Sequence, residues 1–100
     1  AAFLRAATLG VREAQFNVGL AYNVSKGVLG DPAKALEWYG KAAAQGHGDA
    51  VFAMAAIHAR GDGVPADSEK ALAYLADASR LGHPMAEKFA QAVREGWEIS

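Results

Sequence analysis

The chain of 100 residues contains no cysteine. Disulfides and thiolate metal sites are thereby excluded, while a reducing and an oxidising compartment are both compatible with the absence. Localisation, cytoplasmic or periplasmic, stays open. Proline is scarce at three residues, and aromatics number only nine. Charge of one sign is also lacking: ten Lys and Arg stand against eleven Asp and Glu, dispersed along the chain, for a net charge of −1. With no basic stripe to neutralise phosphates, no nucleic-acid partner is expected. Apolar runs are short as well. The longest, such as 50–57, fall far below the ~20 residues that span a bilayer, so no membrane insertion by this segment is expected. No basic leader or cleavage-like segment is recognisable and the first residue is not Met, so the chain reads as processed or excised from something longer.

What is abundant is alanine, 24 residues of the 100. It is the best helix former and leaves little bulk between helices, which fits short helices packed close together. The order of residues then shows an echo. Ala14-Gln15-Phe16-Asn17-Val18-Gly19 is answered by Ala50-Val51-Phe52-Ala53-Met54-Ala55, and Gly27-Val28, Asp31, Lys34-Ala35-Leu36, Ala42 and Gly46-His47 return as Gly63-Val64, Asp67, Lys70-Ala71-Leu72, Ala78 and Gly82-His83, always 36 positions later. A fixed period of this size marks an array of stacked supersecondary units. Such arrays usually bind partners.

Within each unit apolar residues recur at helical spacing. Ala14, Val18 and Ala21/Tyr22 mark a first helix over about 12–24; Ala35, Tyr39 and Ala42 a second over about 32–45. Ala50, Met54 and Ile57 repeat the first over 48–60, and Ala71, Leu75 and Ala78 the second over 68–81. Asp31 and Asp67 stand where a carboxylate caps the second helix, with Pro32 at the favoured first position. Gly46 and Gly82 stand just past the helix ends, where a left-handed residue is wanted, and Pro84 suits the first turn of the next helix. Lys26-Gly27 and Asp62-Gly63-Val64-Pro65 read as the turns within hairpins. Residues 1–9 align with a second helix and 86–96 with a first one, so both ends read as half-repeats. The expectation is an all-α, right-handed α-solenoid of stacked antiparallel αα-hairpins, about five helices in a single repeat domain: a half repeat 1–13, full repeats 14–49 and 50–85, and a half repeat or C-terminal cap 86–100.

These residues resemble a known pattern. Ala14 through Tyr22, then Gly27-Val28, Asp31, Lys34-Ala35, Trp38-Tyr39, Lys41-Ala42-Ala43 and Gly46, are similar to the Sel-one-like repeat (SLR), an offshoot of the tetratricopeptide-like α-solenoids with a unit of about 36 residues and a glycine-containing loop. Departures are Ser25 at a loop glycine that Gly61 retains, His58 in the place of Tyr22, Ala55 in the place of Gly19, and a third copy that loses the loop, with Trp97-Glu98-Ile99 following Gly96. The resemblance implies a protein–protein interaction scaffold, often bacterial and in envelope, secretion or signalling contexts, and no substrate or cofactor.

Residues able to carry chemistry have structural readings beside them. His47 and His83 are equivalent under the repeat and open the following helices; a metal site needs three or four convergent ligands, and no His-x3-His spacing is present. His58 in an aromatic's place reads as a partly buried imidazole with a mild pH sensitivity. Asp31 and Asp67 read as caps, since neighbouring helix axes alone lie about 8–10 Å apart where a retaining carboxylate pair needs about 5–5.5 Å; an inverting-type separation stays open on distance alone but has no other support. No phosphate loop or activated nucleophile appears. The sequon Asn23-Val24-Ser25 sits at a helix end and is discounted. Phe3, Trp38, Tyr39 and Tyr74 are expected in the packing between repeats.

In tetratricopeptide-like stacks the first helix of each hairpin lines the concave face. Carrying that geometry over places Glu13, Phe16, Leu20, Asn23 and Val24 on the inner wall, with Asp49, Phe52, Ala56, Ala59 and Arg60 in the second unit and Met85, Lys88, Ala92 and Glu95 in the last. The candidate partner-binding residues are Phe16, Leu20, Asn23, Phe52, Arg60 and Lys88, suited to an extended peptide or a helix with apolar anchors and a carboxylate. The competing reading packs Phe16 and Phe52 against the adjacent hairpin. The function expected is a non-enzymatic scaffold that binds a protein or peptide partner or orders a larger chain. The alternatives are a self-associating segment, joined through apolar stripes on its terminal half-repeats, and an enzyme or binder acting on small molecules or cell-wall metabolites.

Overall fold

The computed structural model describes residues 10–23, 30–61 and 63–96. They form five helices and no strand: α1 (Arg12–Tyr22), α2 (Pro32–Ala44), α3 (Gly48–Arg60), α4 (Ser68–Arg80) and α5 (Ala86–Arg94). Consecutive helices pack on one another as a series of αα-hairpins. The half-repeat expected over 1–9 and the turn at Lys26-Gly27 lie outside the described residues.

Local chemistry sets most boundaries. Asp31 Oδ1 accepts from the Lys34 amide at 3.1 Å and Asp67 Oδ1 from the Lys70 amide at 3.0 Å, so each carboxylate satisfies an amide left open by the first turn. Pro32 occupies the first turn of α2, where its missing N–H costs nothing. Gly46 and Gly82 follow α2 and α4 with φ of 78° and 87°, a left-handed conformation that turns the chain into the next helix. Across each hairpin one main-chain bond ties the two helices, from the Asp31 amide to the Tyr22 carbonyl and from the Asp67 amide to the His58 carbonyl, both at 2.8 Å.

Four ends differ by one or two residues from the periodicity. The helix expected to 24 stops at Tyr22, because Asn23 turns to an extended ψ of 126° and commits its side chain to α2. The second helices stop at Ala44 and Arg80, and α5 at Arg94 instead of 96. Pro84 lies in the turn ahead of α5.

The core is a chain of overlapping clusters. Ala14 and Val18 of α1 lie with Tyr22 and Trp38. Ala35, Tyr39 and Ala42 of α2 pack with Ala50, Met54 and Ile57 of α3. Val51 and Ala55 of α3, Leu75 and Ala78 of α4, and Ala86, Ala90 and Val93 of α5 form the third cluster. Each helix therefore buries its apolar stripe against its neighbours in the array, as a one-dimensional stack requires.

Candidate partner-binding surface

The surface expected to meet a partner is carried by the first helices, α1, α3 and α5. Its residues fall into two groups. Phe16 is half-buried, with its ring stacked on the His47 imidazole at 4.9 Å between centroids and 23° between planes, and tilted against Tyr39 at 5.6 Å. Phe52 repeats the arrangement on His83 at 4.2 Å and 6°, and leans on Phe89 at 5.2 Å. Leu20 is half-buried in the cluster around Tyr39. Asn23 is buried, with 6% of its surface exposed, and its Nδ2 donates to Tyr39 Oη at 3.1 Å. The second group is open: Arg60 in the last turn of α3 and Lys88 in α5 are exposed, as are Glu13 and Asp49.

The histidines are therefore joints of the stack. His47 Nδ1 accepts from the Ala50 amide at 3.2 Å and caps α3. His83 Nδ1 accepts from the Met85 amide at 3.1 Å, which places its proton on Nε2, and Nε2 lies 3.3 Å from Asp49 Oδ1. One imidazole thus clamps α5's entry to an aromatic and a carboxylate of the preceding unit. The echo held this signal: Phe and His are retained together, 31 residues apart, in both copies. Among the described residues no three His, Asp or Glu side chains gather to hold a metal ion.

Tyr39 is fully buried. Burial lifts its phenol above the usual value and the Asn23 hydrogen bond pulls the other way, so it is a neutral anchor. A Cβ on Gly19 would lie 2.5 Å from Tyr39 Cδ1; the bare glycine lets the ring seat. In the second unit Gly19, Asn23 and Tyr39 become Ala55, Ala59 and Leu75: one methyl is added, and the ring and the amide that bonded it are replaced by smaller apolar side chains. His58, in the place of Tyr22, stacks on Tyr74 at 5.7 Å and 20°. Because Asn23 faces Tyr39 from within the fold, the sequon presents no accessible acceptor.

Two clefts flank this surface. One of about 280 Å³ runs along the turns between hairpins, with Arg12, Glu13, His47, Asp49, Leu81 and His83 on its walls. It continues the first-helix surface through Glu13 and Asp49. The other, of about 450 Å³, opens between α2 and α4 over Val51 and Met54, away from the candidate residues. Among the described residues no helix is long and apolar enough to cross a membrane.

The model of the Sel1 repeat matches twice in succession, over residues 12–47 and 48–83. The chain belongs to the Sel1 repeat family. Solved Sel1 structures agree. A Sel1 repeat protein from Oxalobacter formigenes superposes with a TM-score of 0.81 at 38% identity over 91% of this chain. A protective antigen of uropathogenic Escherichia coli displaying an SLR fold gives 0.82 at 29% over 97%. The chain spans 26% of the first of these proteins and 21% of the second. Among curated proteins none matches. Both neighbours are bacterial, and their helical solenoids are the fold described above. Sel1 repeats generally act in protein–protein interaction and are typically non-enzymatic.

Proposed function

We propose that this chain is a non-enzymatic recognition segment that binds a peptide or helix of a protein partner along α1, α3 and α5. The observation that carries the reading is the pair of consecutive Sel1 repeats across 12–83. The disposition of the wall supports it. Phe16 and Phe52 hold the hairpins together through their histidines, so they act as a half-buried apolar floor. Arg60 and Lys88 stand exposed beside it. A partner segment with one or two apolar side chains for that floor and a carboxylate for the cations matches these groups.

Panning a random peptide display library on the 100-residue chain tests this. Selected peptides should be enriched in Asp or Glu beside an apolar residue. Arg60→Glu/Lys88→Glu should weaken them about tenfold or more, the range of a lost charge-assisted contact, with the helical signal unchanged. Retained affinity in the folded double variant would place the binding surface elsewhere.

A further inference from the structure

The first helices are not alike on the side that meets their own second helix. In α1 that side is Gln15, Gly19, Tyr22 and Asn23: Gly19 and Asn23 meet Tyr39, Gln15 Oε1 accepts from Gln45 Nε2 at 2.8 Å, and Tyr22 and Trp38 both pack against Ala14 and Val18. In α3 the same positions are Val51, Ala55, His58 and Ala59, packed on α4 through Leu75, Ala78 and Tyr74. In α5 they are Glu87, Gln91, Arg94 and Glu95, all exposed. Their polar groups are joined locally, Gln91 Nε2 to Glu95 Oε2 at 3.1 Å and Ser79 Oγ to Glu87 Oε1 at 3.4 Å.

From this we infer that α5 closes the stack of repeats on its side, whatever sequence lies beyond Ser100. Two separate physical reasons support this. At Gly19 even a methyl would meet the Tyr39 ring of the paired helix, and the equivalent Ala55 is fully buried against α4. Gln91 fills that position with a long side chain, which a following helix packed as α2 and α4 are would have to displace. Docking there would also strip water from two carboxylates and a guanidinium for no apolar gain, a cost of the kind that keeps charged groups out of cores. The opposite face of α5 does bury Ala86, Ala90 and Val93, giving the one-sided pattern of a terminal repeat with a polar outer surface. On this reading α5 presents a hydrophilic flank where an apolar stripe is expected on the last half-repeat.

The test exchanges residues 97–100 of the full chain for a copy of residues 61–83, which carries a second helix of the α4 type. It is made on native α5 and on Glu87→Val/Gln91→Ala/Arg94→His/Glu95→Ala, which gives α5 the side chains of α3. On native α5 the added segment should be cleaved by trypsin as fast as the isolated peptide. On the altered helix it should be cleaved about tenfold or more slowly, since protection follows the population of the open form. Protection on native α5 overturns the proposal and is decisive even if the altered chain does not fold. Rapid cleavage on both, with the altered chain folded by circular dichroism, overturns the assignment of the block to these four side chains.

Discussion

At the scale of single residues, the two copies solve one packing problem in two ways. Gly19, Asn23 and Tyr39 form one solution, and Ala55, Ala59 and Leu75 the other. Gly19→Ala alone should therefore cost about 1–3 kcal/mol by overpacking against the ring. Combined with Tyr39→Leu it should cost at least about 1 kcal/mol less than the two single changes added together. Urea titrations of the four proteins close the cycle, and strict additivity would refute the coupling. Tyr39→Ala, at a site with no exposed surface, should cost about 3–5 kcal/mol. His58 offers a different handle. Burial against Tyr74 and the Lys70 ammonium lower its pKa, while Asp67 raises it. The unfolded state then binds the proton more readily than the folded one, so the contribution of His58 is complete above about pH 6.5 and is lost as pH falls toward its folded value. The melting midpoint should decline over that window, and more steeply than in His58→Tyr. Parallel curves for the two proteins would remove His58 from the pH response.

At the scale of elements, the caps separate what was legible from what was not. Asp31 and Asp67 announce α2 and α4 because a cap acts over three residues, and the bonds to Lys34 and Lys70 follow. Gly46 and Gly82 announce the ends for the same local reason. Each of Asp31→Ala and Asp67→Ala should destabilise by about 1 kcal/mol, within the range for such caps, and the two losses should add because the sites serve different helices. Thermal melts of the single and double variants measure this. The candidate surface was less legible. Periodicity places Phe16 and Phe52 on the first helices but does not say whether a ring faces outward or meets the next turn. That depends on where His47 and His83 come to rest, 31 residues on. Asn23 shows the same difficulty: its bond to Tyr39 spans 16 positions and bends the chain out of the helix. Arg60 and Lys88 are exposed on α3 and α5.

At the scale of the molecule, stability is distributed along a line of nearest neighbours. α3 has packed helices on both sides and buries five residues, whereas α5 buries three and presents a charged flank. Amide exchange should accordingly be slowest in α3 and α4 and faster by about tenfold or more in α5, as expected of sub-global opening from an end. Equal protection along the chain would show instead that the array opens as one body. The paired residues also bear on how such a chain changes by duplication. Gly19 with Tyr39 and Phe16 with His47 both fall between residues 12 and 47, and their counterparts between 48 and 83. A genetic crossover just after His47 or His83 hands on every one of these partnerships whole. A crossover inside a hairpin would unite Ala55 with a tyrosine that has nowhere to lie, or Gly19 with a leucine too small to reach it. The boundary after the histidine is thus the joint at which the unit can be copied, inherited and diversified without first breaking its own core.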